Sequence, residues 1–494
     1  MKVACTVLEG ESGGNPADLL RKTKVMPLPE LFIRQMEGLL GADELKTLLD
    51  GIKQEPLTSI RLNPRKWNPA NMPLRRVGWW EGGFYLDDRP SFTFDPLLHA
   101  GCYYVQEAAS MFLARLIQQY VERPVAMLDL CAAPGGKTTT AIGALPEGSI
   151  VMCNEPIRQR AQILSENITK WGCPEVVVTN NYPADYARSG LAFDVILCDV
   201  PCSGEGMFRK DEEAVAQWTP RLVENCRNLQ REIVAEAWKC LKPGGMLIYS
   251  TCTMNTQEDE ENVEWICREL GGETLPVDLR EEWQVKGSLL KGFEGHVYRF
   301  LPGFTESEGL FMAAVRKGDD QPQPKEAKRK SKGKEGRGRQ TALTNEVAGW
   351  LQPRVEWVMR QYGDVCYALP AALMPFSDLA YEQLRMLSAG TALGQLKGRD
   401  FIPNHAVALS CYLQLEAFPQ VELDYPEAIA YLRREAVSMP EGTPRGYVIV
   451  CWQHHPLGFV KNLGTRANNL YPQEWRVKSA RTDAVAPFSS LLPQ

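Results

Sequence analysis

Three short motifs follow one another between Asp129 and Thr253, each where an apolar, strand-like run ends. Asp129-Leu130-Cys131-Ala132-Ala133-Pro134-Gly135-Gly136-Lys137-Thr138 is a glycine loop. Asp199-Val200-Pro201-Cys202-Ser203-Gly204 joins a carboxylate to a thiol, and Ser250-Thr251-Cys252-Thr253 brings a second thiol. Carbon 5 of a pyrimidine is a poor nucleophile. A thiolate that adds to carbon 6 pushes electron density onto carbon 5, which can then take a methyl group from a sulfonium donor. An acid at ring nitrogen 3 eases the addition, and a base must remove the carbon 5 proton before the thiol is expelled. A glycine loop, an acid and two thiols on one rim of one sheet are the equipment for that reaction. Asp199, Cys202 and Cys252 are its candidates, and the motifs alone leave open which cysteine attacks.

Each motif also has a plainer reading. An arbitrary cysteine is a small buried hydrophobe, and Cys153, Cys198 and Cys240 read that way. Cys202 lies in a turn and Cys252 follows a strand, where core packing explains a thiol less well. A reactive thiol needs a lowered pKa, usually from nearby positive charge; Lys137 and Lys210 are the nearest candidates. Pro134-Gly135-Gly136 between a strand and a helix aims backbone N–H groups at an anion. Gly136-Lys137-Thr138 matches the end of a nucleotide-triphosphate P-loop, and Phe193–Asp199 could pass for its acidic strand. That motif needs a glycine five residues before Gly136, where Cys131 stands. Glu155 ends the second strand about 20 residues past the loop, placed to accept from ribose hydroxyls. Its plainer role is a carboxylate favouring the next helix N-terminus; beside the glycine loop, ribose is the better reading.

Alternating elements must position these residues. Strands are expected at Val125–Leu130, Ile150–Asn154, Val176–Thr179, Phe193–Cys198 and Met246–Tyr249. Helices are expected at Ala108–Tyr120, Arg158–Lys170 and Arg221–Leu241. Such alternation predicts an α/β, doubly wound, Rossmann-like parallel sheet with ligands beyond the carboxyl ends of its strands. Ahead of it, Leu31–Leu49 carries a helical apolar spacing, Ser59–Pro64 alternates like a strand, and Trp79–Phe94 reads as a hairpin turning at Gly82-Gly83. Met1–Val25 is polar and unpatterned and reads as a disordered leader. Gln321–Gln340 reads as a flexible basic linker. Beyond it, Gly446–Trp452 and Gly458–Asn462 read as adjacent strands of a separate small mixed domain.

The chain of 494 residues suits two to four domains. It has no apolar run of about 18 residues, and its start is too short a run for a signal peptide, so the cytoplasm is expected. The 14 cysteines form no Cys-x-x-Cys pair, and the five histidines are not spaced as metal ligands, which speaks against zinc. A net charge of −6 is unhelpful for binding phosphates. Lys317–Gln340, however, holds nine Lys/Arg against four Asp/Glu, so RNA contacts must come from local patches.

The chain resembles the bacterial RNA (cytosine-5)-methyltransferases of the Sun/Nop superfamily, and among them the RsmF type, which modifies small-subunit ribosomal RNA. The likeness rests on Tyr104-Val105-Gln106-Glu107-Ala108-Ala109-Ser110, the Cys131–Lys137 loop, Asp199–Gly206, Arg209-Lys210-Asp211 and Tyr249–Thr253. The resemblance implies S-adenosylmethionine held by Cys131, Ala132, Ala133, Pro134, Gly135, Gly136, Lys137, Glu155 and Asp199. It implies that Cys252 attacks carbon 6, that Cys202 helps release the product, and that Asp199 and Lys137 line the cytosine pocket. The target base should be single-stranded or flipped out. Where the family places an adenine-contacting Asp, this chain has Tyr182, with Asn181 and Asp185 as alternatives. The tail, including Leu396–Phe401 and Gly446–Asn462, resembles the PUA-like β-domain of RsmF proteins.

The expected organisation is therefore a leader (1–25), an RNA-binding α/β domain (26–102), a methyltransferase domain (103–317), a basic linker (318–340) and an RNA-binding PUA-like domain (341–494). The expected substrate is RNA, 16S ribosomal RNA ahead of tRNA, with no membrane and no metal. Its rivals are a P-loop ATPase and a non-catalytic ribosome-assembly factor. DNA methylation is disfavoured because those enzymes lack the Cys252 motif.

Overall fold

The computed structural model describes residues 27–68, 72–324, 339–340, 347, 349–398 and 400–479. The expected leader, most of the expected linker and Arg399 of the Leu396–Phe401 segment lie outside the described residues. Two amphipathic helices come first, α1 (Glu30–Leu40) and α2 (Ala42–Lys53). They are parted by Gly41, whose φ of +79° suits only a glycine. Strands β1 (Thr58–Leu62), β2 (Arg76–Val77), β3 (Trp80–Leu86) and β4 (Tyr103–Val105) form an antiparallel sheet in the order β2-β3-β1-β4. The hairpin turn is at Gly78-Trp79, not at Gly82-Gly83 as expected. Gly83 lies inside β3 opposite Arg61, and a Cβ there would stand 2.5 Å from the Met111 sulfur. Its missing side chain serves close packing.

Helices α3 (Pro96–His99) and α4 (Phe112–Tyr120) lead into the catalytic layer. Its parallel strands are β5 (Ala126–Asp129), β6 (Ile150–Asn154), β7 (Val176–Thr179), β8 (Phe193–Asp199) and β9 (Leu241–Thr251). Between them run α5 (Gly136–Ala144), α6 (Arg158–Trp171), α7 (Pro183–Ser189), α8 (Glu212–Gln217) and α9 (Pro220–Trp238). Helix α10 (Glu260–Leu270) is followed by β10 (Gly272–Thr274), β11 (Tyr298–Phe300) and β12 (Leu310–Lys317). The strand order β10-β12-β9-β8-β5-β6-β7 makes a doubly wound sheet with its switch between β5 and β8. It is mixed, not wholly parallel, because β12 runs antiparallel to β9. Apolar runs such as Val176-Val177-Val178 are buried on both faces, as a sheet covered by helices on each side requires.

The tail contributes β13 (Arg339–Gln340), β14 (Trp357–Tyr362), β15 (Val365–Pro370), α11 (Met374–Gln383) and β16 (Met386–Ala389). Then come β17 (Thr391–Lys397), β18 (Asp400–Pro403), α12 (His405–Leu409), β19 (Gln420–Glu422), α13 (Tyr425–Leu432), β20 (Gly446–Trp452), β21 (His455–Asn462) and β22 (Ala467–Asn469). These strands build a five-stranded and a four-stranded sheet. The tail is not set apart as expected. Strand β16 pairs antiparallel with β7 and completes the catalytic sheet, and Val448, Leu457 and Tyr471 share one core with Ile60 and Phe84 of the leading domain. Lys317, the first of the nine basic residues counted over Lys317–Gln340, is buried at the end of β12 and donates to the carbonyls of Trp238 and Leu241. Among the described residues no helix is long and apolar enough to cross a membrane.

Candidate active site

The carboxyl ends of β5, β6, β8 and β9 carry the singled-out residues. After β5 the chain turns through Leu130–Gly135, and α5 starts at Gly136. Gly135 has a φ of +112°, and a Cβ there would press on Leu164 at 3.2 Å. The loop is gripped from α6: Arg160 donates to the Ala133 carbonyl at 2.9 Å, and Asn167 donates to that of Pro134 at 2.8 Å. Asn154, at the end of β6, ties three strand ends together. Its amide donates to the carbonyls of Leu130 and Asn181, while its oxygen accepts from Thr179 and the Asn181 N–H.

Glu155 is buried one residue further. It accepts from the Ile157 N–H at 2.9 Å and faces Arg160 at 3.3 Å. Burial pushes its carboxyl above the ordinary range, against the pull of Arg160. Asp129 is fully buried at the end of β5. Thr138 donates to one of its oxygens at 2.6 Å, and the other has no donor. Burial raises this carboxyl to about 7. The residues around the loop fit S-adenosylmethionine: helix N–H groups for its carboxylate, a buried acid for ribose, and at Asp129 a buried acceptor lacking a partner. Burial also pushes the Cys131 thiol well up, which keeps it a neutral wall of the loop. At the adenine-side position, Tyr182 is 70% exposed. Asp185 is engaged in capping α7 through the Tyr182 N–H and in pairing with Arg188. Asn181 bridges to the backbone of Arg385.

Across the rim, Lys137 Nζ lies 2.9 Å from Asp199 Oδ2 in a half-buried ion pair. The Cys202 and Cys252 sulfurs are 3.2 Å apart. Cys202 is buried, whereas Cys252 is partly open. The hydrogen bond with Cys252, then burial, holds the Cys202 thiol well above its ordinary range. The two lysines expected to serve the thiols also face carboxylates. Lys137 is paired with Asp199, and Lys210 faces Glu308 at 3.4 Å. The thiols are matched to each other, one as S–H donor and the other as sulfur acceptor.

Motif reasoning missed the scaffold that sets this 3.2 Å approach. Ser203 and Thr253 join their hydroxyls at 3.0 Å. The Glu258 carboxylate, on the Cys252 side, accepts from the Ser203 N–H at 2.9 Å. Glu205, on the Cys202 side, accepts from the Met254 N–H at 2.7 Å and from Trp218 at 3.0 Å. Asn255 donates to both carboxylates. Beneath them the fully buried Arg299 meets Asp259 at 3.0 Å, chelates Glu260 and donates to the Met254 carbonyl at 2.8 Å. Burying so many polar groups is tolerable only because they satisfy one another. The one sequence hint was a run of polar residues, Asn255–Glu261, shortly after a buried strand.

Three family models match in chain order. The N-terminal domain of 16S rRNA methyltransferase RsmF matches residues 28–108, 16S rRNA methyltransferase RsmB/F matches 118–316, and the methyltransferase RsmF PUA domain matches 418–477. The chain is 30% identical over 476 residues to ribosomal RNA small subunit methyltransferase F of Cronobacter sakazakii, covering 90% of this chain and 96% of that protein. It is 29% identical over 481 residues to the protein of the same name from Escherichia coli K12, with the same coverage. Among solved structures, a methyltransferase homolog protein from Pyrococcus horikoshii is 25% identical with a TM-score of 0.50, covering 58% of this chain and 95% of that one. NSun6 from the same organism shares the fold at 20% identity and a TM-score of 0.50, covering 59% and 99%. With a 30%-identical relative matched nearly end to end and all three of its domains recognised in order, the chain belongs to the RsmF branch of the RsmB/F family of 16S rRNA methyltransferases.

Proposed function

We propose that this protein methylates carbon 5 of a cytidine in RNA, in the 16S ribosomal RNA of the small subunit, through a covalent bond between Cys252 and carbon 6. The observation that carries this reading is the pair of sulfurs 3.2 Å apart beside a lysine–aspartate pair on the same rim. S-adenosylmethionine, when bound by the Cys131–Lys137 loop and Glu155, supplies the methyl group. The leading domain and the PUA-like tail bind the RNA, and the target base is drawn out of any helix to expose carbon 6. The protein is read as working in the cytoplasm, where reduced thiols persist.

The more open Cys252 is the nucleophile. Its thiolate is held by the S–H of Cys202, whose proton is secured by that hydrogen bond and by burial. As the C6–S bond forms, the electron pair of the ring double bond moves toward nitrogen 3, where the Lys137–Asp199 pair supplies a hydrogen bond or proton from the lysine ammonium. Carbon 5 then receives the methyl group. A base takes the carbon 5 proton, the ring double bond re-forms and the C6–S bond breaks. The departing sulfur of Cys252 regains the hydrogen bond of Cys202, which is how the second thiol promotes release.

The test is transfer of labelled methyl from S-adenosylmethionine to small subunits, naked 16S RNA and tRNA, with product nucleosides identified by mass spectrometry. 5-Methylcytidine in a small-subunit substrate is the expected outcome. A different methylated nucleoside, or methylation confined to tRNA, overturns the reading.

A further inference from the structure

Arg61 enters the catalytic layer from another domain. It sits on β1 of the leading sheet, yet its guanidinium is buried against the first turn of α5, the helix that begins the cofactor loop. Nη2 donates to Thr139 Oγ1 at 2.5 Å and to the Gly136 carbonyl at 3.3 Å, and Nη1 donates to the Thr139 carbonyl at 3.2 Å. Nε donates to Gln106 Oε1 at 2.7 Å, and the same oxygen accepts from Thr140 at 2.9 Å. The flat group lies over the Trp171 ring at 4.6 Å. No carboxylate is among these partners. Burial alone lowers the Arg61 pKa to about 9.

A buried cation held only by neutral oxygens costs folding energy that a packed apolar side chain would not. Its fork, however, does what an apolar residue cannot: it fixes three acceptors of one helical turn at once. That turn carries Gly136 and Lys137, and Thr139 Oγ1 reaches back to the Gly135 carbonyl at 2.8 Å. Neighbouring contacts of the same domain grip other places. Lys66 donates to the carbonyls of Ala100 and Lys170, and Asn63 to those of Gly101 and Trp171, at the far end of α6.

We propose that Arg61 is a positioning residue through which the leading domain holds the cofactor loop in its binding shape, so that cofactor affinity depends on how that domain is docked. Holding the loop before binding removes an ordering cost that would otherwise weaken affinity. This rests on the cofactor reading above, and the experiment separates the two.

The full-length chain would be titrated with S-adenosylhomocysteine by calorimetry, without RNA, as wild type, Arg61→Met, Arg61→Lys, Thr139→Val and Lys66→Met. Steady-state transfer assays would give KM for S-adenosylmethionine and kcat. Arg61→Met should bind about tenfold or more weakly, the scale of lost charge-assisted hydrogen bonds. Its KM should rise in step, while kcat at saturating cofactor changes little. Thr139→Val, which deletes one Arg61 acceptor together with that hydroxyl's own bond to the Gly135 carbonyl and keeps the shape, should show a smaller loss in the same direction, and Arg61→Lys should fall between wild type and Met. Lys66→Met, which loosens the docking at α6, should bind as wild type does. Wild-type affinity in both Arg61→Met and Thr139→Val overturns the inference. So does an equal loss in Lys66→Met, which would mean general loosening. If Arg61→Met does not fold, Thr139→Val against Lys66→Met decides. Failure of the wild type itself to bind the ligand would instead overturn the cofactor reading.

Discussion

Cys202 and Cys252 bring their sulfurs to 3.2 Å, but only Cys252 is open to the rim. The hydrogen bond with Cys252 and burial hold the Cys202 thiol well above its ordinary range, so the two thiols are unequal before any substrate arrives. The inequality predicts opposite mutant behaviour. Cys252→Ala should lower methyl transfer to below about a thousandth of wild type without trapping RNA. Cys202→Ala should leave RNA covalently attached through Cys252, visible as a shifted band on a denaturing gel. A trapped complex in Cys252→Ala, or none in Cys202→Ala, reverses the assignment.

The Lys137–Asp199 pair, 2.9 Å apart, is expected to act on the base as well as to hold the loop. Lys137→Met should reduce kcat about 100-fold or more, the scale for removing one oriented electrostatic group. RNA affinity, measured by fluorescence anisotropy, should stay near that of wild type.

Asp129 gives a pH signature. Its folded pKa of about 7 lies above its ordinary 3.8, so between those values the folded state holds more protons than the unfolded one. Stability from this group is full below the unfolded pKa and falls as pH rises through the folded one. Asp129→Asn keeps the acceptor for Thr138 and removes the titration. Urea unfolding between about pH 5 and 7 should therefore show wild-type stability declining relative to the variant, by at most ~1.4 kcal/mol per pH unit. Parallel curves would mean that Asp129 is ionised throughout.

Arg299 is enclosed with Asp259 and Glu260. Arg299→Met would strand two buried carboxylates and should cost about 3–5 kcal/mol of stability, read as a lower urea midpoint. Because Arg299 also holds the Met254 carbonyl, the folded fraction should lose transfer activity as well.

The catalytic layer was legible because its signals are local. Apolar runs ending at Asn154, Thr179 and Asp199 are strands ending there, and the motifs at those ends face one rim. Glu205, Asn255 and Glu258 were not legible, since their meaning lies in partners about fifty residues away that only strand adjacency brings near. Arg61 was read as one residue of an alternating strand. Its contacts with Gln106 and Thr139 belong to domain docking, which leaves no periodic trace. Gly82-Gly83 misled for the opposite reason. A glycine pair signals a turn by backbone freedom, but here it makes room for Met111 and Trp80. Lys137 and Lys210 were singled out because charge near a motif is easily counted, whereas the carboxylates that also face them, Asp199 and Glu308, depend on the fold.

The pairing of β16 with β7 bears on how the chain is made. Strand β7 ends at Thr179, and its partner begins only at Met386. During synthesis the catalytic layer can therefore assemble with one row of N–H and C=O groups of Val177–Thr179 left bare until the first third of the tail has emerged. Such an open strand is a template for pairing with other chains. Truncation before Met386 would leave this exposure permanent, so a tail-less catalytic core should be prone to aggregate even though every motif of its rim is present.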